Sequence, residues 1–222
     1  MPISSGFSPS RIAPNIEAQL KLIGRYDSPF VRRVGISMVA LNIKFEHRPI
    51  SVFKGFAEFA ADNPAVKAPT LITDDGTVLQ DSNLLLQYLE MIAPQGRSLL
   101  PERAERLPFE LQLIGFALAG CEKAVQTIYE TKLRPAEKQD ARWLDRIGKQ
   151  LRGAFAELER TLAESSQPFE TRLTQAYVTV AVSWRFVQYA LPGTLAPDDY
   201  PYLTAHSARA EKRPEFQAAR LP

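Results

Sequence analysis

The segment GRYDSPFVRRVGISM, residues 24–38, places two hydroxyl groups beside a predicted helix start. Ser28 directly precedes Pro29, and Tyr26 stands two residues earlier. Serine is a preferred N-cap residue and proline is favoured at the first helical position, so Ser28 fits a structural role. Its hydroxyl, at the positive end of a helix, could equally donate a hydrogen bond to an anion. The residues alone leave both roles open, and Tyr26 could simply pack at the end of a strand.

Other side chains that commonly perform chemistry are scarce. The chain has one cysteine, Cys121, and two histidines, His47 and His206, which are far apart in sequence. One cysteine excludes an internal disulfide and fits a reducing compartment, and the histidines show no metal-ligand spacing. Because Cys121 lies among small and apolar residues, we predict a buried packing role for it. We expect no metal site.

The composition indicates a globular chain with a sizeable core. Of the 222 residues 45% are hydrophobic, and the formal net charge is only +2. The basic residues are interleaved with acidic ones, which argues against nucleic acid as a partner. We find no apolar run of about 18 residues and no signal-peptide pattern, so we expect a cytoplasmic protein without a membrane span. Residues 1–18, rich in Ser and Pro, predict an N-terminal tail.

The first half of the chain predicts alternating strands and helices. The apolar run at 20–24 indicates a buried strand, and apolar residues at steps of three and four predict a helix from Pro29 to about Leu41. Alternation around residues 43–47 predicts a second strand. The resulting β-α-β unit implies parallel strands joined by a right-handed crossover.

A β-hairpin and a second helix complete this half. Asp75 and Gly76 tolerate positive φ and predict a tight turn between two short strands. The run that follows predicts a helix with Ser82 at its N-cap. The first domain therefore spans residues 19–93 with the order βαβ-ββα.

The second half predicts helices alone. Residues 94–102 contain Pro, Gly and Ser and indicate a linker. Residues 103–222 show helical periodicity and no convincing strand. The predicted helices lie at 103–131, 137–164, 174–190 and 201–209. The fold class is thus α/β plus all-α.

This organisation resembles the soluble glutathione S-transferases, in which a thioredoxin-like domain with a four-stranded mixed sheet precedes an all-helical domain. The resemblance covers residues 19–222, and the Ser-Pro-Phe turn is most similar to a bacterial group of that family. Four segments carry it in the family's order and at matching separations: YDSPFVRRV (26–34), NPAVKAPTL (63–71), DGTVLQDSNLLLQYLE (75–90) and RPEF (213–216).

The resemblance implies that Ser28 is catalytic, because the family places a Ser, Tyr or Cys at this turn. A free thiol has a pKa of about 8.5, and its thiolate is the nucleophile. A hydroxyl that donates to the sulfur, together with the positive end of a helix, favours the thiolate. Tyr26 is the second candidate for thiol donor or wall of the substrate site. Serine, unlike cysteine, cannot form a mixed disulfide with glutathione.

The same resemblance implies a binding site for glutathione as co-substrate. Ala68, before a cis Pro69, would pair its backbone with the cysteinyl part of the tripeptide. Ser82 would bind the γ-glutamyl carboxylate, and Asp81 would hold the α-ammonium. Asp81 and Ser82 could also be ordinary helix-start residues.

The resemblance also implies lysine contacts to glutathione, and the sequence departs from the family pattern at two positions. Lys67, and as a second candidate Lys54, would approach the glycyl carboxylate, although either could simply be solvated. Val66 stands where the family has glycine, so a positive φ there would strain a β-branched residue. Tyr177 stands where the family has the aspartate of a capping box that begins at Thr174, so we expect a costlier helix start or a replacement partner.

The implied second substrate is a small hydrophobic electrophile. It would lie between the Ser28 turn and the second domain, in an apolar pocket with Phe30, Phe116 and Tyr129. The family also implies a homodimer. The predicted function is a glutathione transferase. Two alternatives stay open: a non-catalytic binding protein on the same scaffold, and a glutathione-dependent isomerase, peroxidase or dehalogenase.

Overall fold

The computed structural model describes residues 20–165 and 172–221. The predicted tail at 1–18 lies outside these residues. The strands are β1 Leu20–Ile23, β2 Phe45–Arg48, β3 Thr70–Ile72 and β4 Val78–Gln80. The α-helices are α1 Pro29–Ala40, α2 Phe56–Asp62, α3 Ser82–Ile92, α4 Leu107–Ile128, α5 Ala141–Glu164, α6 Gln175–Ala190, α7 Pro201–Ala210 and α8 Pro214–Ala218. Shorter turns of helix occupy Ala104–Arg106, Tyr129–Leu133, Ala136–Lys138 and Pro197–Asp199.

The four strands form one mixed sheet in the order β2-β1-β3-β4. β1 and β2 are parallel, with Leu20 opposite Phe45, whereas β3 is antiparallel to both β1 and β4. This is the thioredoxin-like arrangement, and helices follow it through the rest of the described chain. The predicted fold class is therefore confirmed, while the boundaries 19–93, 94–102 and 103–222 stay predictions.

The β3–β4 hairpin forms between the two predicted strands. Ile72 pairs with Val78, so residues 73–77 form the connection, and within it only Gly76 has a positive φ, of 84°. The Asp75 carboxylate accepts hydrogen bonds from the Thr73 hydroxyl and the Thr77 N–H. These bonds place the acid inside the turn, which replaces the two-residue geometry expected for Asp-Gly.

Helix α1 is buried on every side, although the sequence pattern predicted one buried face. Val31, Val34 and Met38 pack in a core that also contains side chains of β1, α3 and α6. Helix α8 also packs against α1. This shared core joins the sheet to the helical part of the chain and fixes where α1 begins.

The helical part has its own core around α4, α5 and α6. Gly120 of α4 allows a close approach to Phe155 of α5, since a Cβ there would lie 2.6 Å from the Phe155 ring. Cys121 is buried in this core, as predicted, and burial raises the pKa of its thiol to about 12. In the described residues, no helix combines the length and the low polarity needed to cross a membrane.

The start of α6 has an acidic neighbour from another helix. The Thr174 side chain caps the helix and accepts from the N–H of Tyr177 at 3.3 Å. The carboxylate of Glu110, on α4, hydrogen-bonds the Thr174 side chain, and burial raises the pKa of Glu110 above its ordinary value. The Tyr177 ring packs against His206, with centroids 4.4 Å apart. An acid from another helix thus supports this helix start.

A buried arginine ties the end of the chain to α1. Arg32 donates to both carboxylate oxygens of Glu211 at 2.7 Å and to the carbonyl of Ala219 at 2.8 Å. Its side chain is 1% exposed. A buried guanidinium that loses its carboxylate leaves an uncompensated charge, so this contact is important for the position of α8.

Replacing Glu211 by Gln is therefore expected to lower the free energy of unfolding by about 2–3 kcal/mol, measured by urea denaturation. Glu215→Gln is the control, because its ion pair with Arg213 is more exposed and is expected to contribute less than about 1 kcal/mol. Equal effects of the two substitutions would contradict the assigned role of Arg32.

Candidate functional site

A cavity of about 590 Å³ opens between the sheet and the helical part of the chain. Its wall on the sheet side comes from the turn before α1, the loop before α2 and the loop before β3. Its other wall comes from the C-terminal end of α4, the turn that follows it, and α6. The lining residues that matter below are Ser28, Phe30, Val52, Phe53, Val66, Lys67, Ala68, Val125, Ile128, Tyr129, Phe186 and Tyr189.

Ser28 caps α1 and lines the cavity. Its backbone is extended, and its Oγ accepts from the N–H of Val31 at 3.4 Å. A hydroxyl that accepts one hydrogen bond retains its own proton for donation. Pro29 has no N–H, and the N–H of Arg32 donates to the Ser28 carbonyl. Ser28 therefore combines capping with a place in the cavity wall at the positive end of a helix.

Tyr26 lies behind this turn and is not among the lining residues. Its ring stacks on His47 of β2, with centroids 3.9 Å apart and planes 15° apart. A Cβ placed on Gly35 of α1 would lie 2.6 Å from a ring carbon of Tyr26 and 2.9 Å from its hydroxyl oxygen. Burial raises the pKa of Tyr26 to about 12. The ring thus packs between α1 and β2.

The loop before β3 contributes Val66, Lys67 and Ala68 to the cavity wall. Val66 has a φ of 45°, so the valine occupies the left-handed region that the family's glycine would favour. The Ala68–Pro69 peptide bond is cis, as the resemblance implied. Lys67 is exposed and forms an ion pair with Asp81 at 3.4 Å.

The start of α3 lies beside this loop, and its N-cap differs from the prediction. Asp81, with a φ of 75°, is the N-cap, and its carboxylate accepts from the N–H of Asn83 at 2.9 Å. Ser82 is therefore the first helical residue. Burial acts to raise the pKa of Asp81, but the Asn83 N–H and Lys67 outweigh it, so the pKa lies below its ordinary value. Asp81 is anionic at neutral pH.

Of the three aromatic residues predicted for the substrate pocket, two lie in the wall of this cavity. Phe30 and Tyr129 line the cavity, whereas Phe116 packs against the core of α4, α5 and α6. Lys54 is exposed and does not line the cavity.

The sequence analysis missed four of the residues that line the cavity: Val52, Phe53, Phe186 and Tyr189. No sequence signal separates such residues from ordinary core, because the cavity forms between elements distant along the chain.

Aromatic side chains meet across the mouth of the cavity. The rings of Phe53 and Tyr129 are in edge contact, with centroids 5.6 Å apart. Tyr129 begins a single π-helical turn at the end of α4, a feature that often occurs at functional sites. Among the residues that the structure describes, no group of three or more His, Cys, Asp or Glu could hold a metal ion.

Comparison with known proteins agrees with this geometry. The sequence profile described as "Glutathione S-transferase, N-terminal domain" matches residues 22–97. A curated relative, the uncharacterized GST-like protein YibF of Escherichia coli K12, is 27% identical over 91% of this chain and 99% of its own length.

Solved structures give the same result. A glutathione S-transferase from Methylobacterium radiotolerans, in complex with glutathione sulfonate, is 25% identical, with a TM-score of 0.82 over 90% of this chain and 94% of that chain. A glutathione transferase family member from Pseudomonas fluorescens Pf-5, with bound glutathione, is 28% identical, with a TM-score of 0.79 over 92% of this chain and 100% of that chain. Residues 22–97 thus match the N-terminal domain of the glutathione S-transferases, and the chain as a whole is similar in sequence and fold to proteins of that family.

Replacing Gly35 by Ala tests the packing that fixes the turn before α1. The new methyl group would overlap the Tyr26 ring, so we expect a loss of about 1–3 kcal/mol in the free energy of unfolding by urea denaturation. Gly153→Ala on α5 is the control, because nothing lies within 4 Å of its Cβ position and alanine favours a helix. A stable Gly35→Ala protein would contradict the close approach of α1 and Tyr26.

Proposed function

We propose that this protein is a glutathione transferase that joins the glutathione thiolate to small hydrophobic electrophiles. The observation that carries the proposal is the position of Ser28. Ser28 lines a cavity that has the loop at 65–68, which carries Lys67, on one side and an apolar wall from α4 and α6 on the other. The relatives crystallised with glutathione or glutathione sulfonate support this assignment.

Ser28 stabilises the thiolate in the proposed reaction. The thiol loses its proton to solvent, and the Ser28 hydroxyl donates to the resulting sulfur anion at the positive end of α1. The thiolate then attacks the electrophilic carbon, a sulfur–carbon bond forms, and the leaving group departs with its electron pair. Ser28 keeps its own proton throughout. Ser28 lines the cavity and Tyr26 does not, so we assign the donor role to Ser28 alone.

The tripeptide binds along the loop before β3 and the start of α3. Ala68 pairs its backbone with the cysteinyl part, and Ser82 binds the γ-glutamyl carboxylate. Asp81, which is anionic and held by the Asn83 N–H, binds the α-ammonium in place of the Lys67 ammonium. Lys67 is then free to approach the glycyl carboxylate.

The electrophile binds against the apolar side of the cavity. Phe30, Val125 and Phe186 supply apolar surface there, and Phe53 and Tyr129 cover the mouth. Such a wall favours neutral apolar or aromatic molecules. Exposed apolar residues of α3, Leu84 and Met91, support the predicted homodimer.

Replacing Ser28 by Ala is expected to raise the pKa of the bound glutathione thiol by about one unit and to lower kcat at neutral pH about tenfold or more. The affinity for glutathione should stay within a few fold. The thiolate is followed by its ultraviolet absorbance during a pH titration, and turnover is followed with a chlorinated nitroaromatic.

Tyr26→Phe is the matched control, since it removes a hydroxyl two residues away that packs against Gly35. It should leave the thiol pKa unchanged. A shift with Tyr26→Phe and none with Ser28→Ala would reverse the assignment. Glutathione binding without turnover would instead support a non-catalytic binding protein.

Replacing Phe53 by Ala tests the apolar wall. Loss of the ring that meets Tyr129 should raise the KM for the nitroaromatic about three- to tenfold and leave the KM for glutathione unchanged. Phe56→Ala is the control, because Phe56 is 60% exposed and does not line the cavity. Equal effects on the two substrates would contradict a separate electrophile site.

A further inference from the structure

Two consecutive arginines of α1 are almost fully buried and hold different parts of the protein. Arg32 binds Glu211 and the Ala219 carbonyl, near the end of the chain. Arg33 is 2% exposed and points the other way, to the start of α3. Its Nη1 donates to the Ser82 Oγ at 3.2 Å and to the Asn83 Oδ1 at 2.9 Å.

Arg33 differs from Arg32 in its electrostatic surroundings. Its hydrogen-bond acceptors in the described residues are a hydroxyl and an amide oxygen, neither of which carries charge. Its buried Nε has no hydrogen-bond partner there. Burial lowers the pKa of Arg33 to about 10, opposed by the nearby Cys121 and Asp81, so the guanidinium is still charged at neutral pH. A buried cation whose hydrogen-bond acceptors are all neutral favours a further anion nearby.

The bond to Ser82 also sets the direction in which that hydroxyl can donate. Because the Ser82 Oγ accepts from a guanidinium, its own proton must point elsewhere. A hydroxyl polarised by a charged donor gives a stronger hydrogen bond to a carboxylate. Asn83 is held by the same Nη1, so one arginine fixes two consecutive residues of the first turn of α3.

We infer that Arg33 is a positioning residue that orients Ser82 and supplies positive charge for an α-carboxylate bound at the start of α3. This inference rests on the proposed function, in which the γ-glutamyl carboxylate of glutathione occupies that place. Arg33 acts through Ser82 and Asn83 and through its charge, without touching the reacting sulfur. The adjacent Arg32 has a structural role alone.

The experiment compares two ligands by calorimetry. One is glutathione, and the other is 4-aminobutanoyl-cysteinylglycine, which lacks only the α-carboxylate. Arg33→Met should weaken glutathione binding about tenfold or more and leave the affinity for the analogue unchanged, so the preference for glutathione should fall by the same factor. Arg33→Lys, which keeps the charge, should recover part of that preference.

Two further variants distinguish a loss of ligand preference from a loss of stability. Asn83 is exposed, and Asn83→Ala removes one Arg33 contact without a buried cavity; it should reduce the preference about threefold. Arg32→Met should lower the unfolding midpoint and leave the preference intact.

The outcomes separate the inference from the function on which it rests. If glutathione binds the natural protein but Arg33→Met and Asn83→Ala keep its preference over the analogue, the role of Arg33 is overturned and the proposed function stands. The same holds if Arg32→Met and Arg33→Met reduce the preference equally. A natural protein that binds neither ligand overturns both.

Discussion

Complete burial of α1 is the constraint on which the site depends. A helix that packs against a sheet alone can have a polar outer face, but α1 lies between the sheet and α6 and carries two arginines in its middle. Each guanidinium must find acceptors because a buried unpaired charge is costly. Arg32 finds them at the end of the chain and Arg33 at the start of α3. The two arginines of one helix thereby hold two distant segments, the end of the chain and the start of α3, against α1.

The elements predicted correctly were those with strong local signals. Ser28 with Pro29 defined the start of α1, and Thr174 defined the start of α6, because caps depend on neighbours within a turn. Val66 was expected to be strained if its φ were positive, and its φ is 45°. The N-cap of α3 was placed one residue late, since Asp and Ser are both good caps and only the geometry distinguishes them.

The residues that escaped prediction depend on contacts between distant segments. Phe116 and Tyr129 lie on the same predicted helix, yet one is in the core and the other lines the cavity. The sequence analysis did not single out Arg33, because its partners lie about fifty residues further along the chain. Helical periodicity reports which face is apolar and carries no information about what covers the opposite face.

The lone cysteine has a practical consequence. Cys121 is 1% exposed, and its thiol has a pKa of about 12, so almost no thiolate is present or accessible while the fold is intact. The chain has no other sulfhydryl group. A coloured-product disulfide reagent added to the native protein therefore finds no accessible thiol. It reacts with Cys121 only when the helical core opens, so the rate of colour development measures that opening. The rate at which Cys121 becomes reactive therefore reports the rate at which the helical core opens.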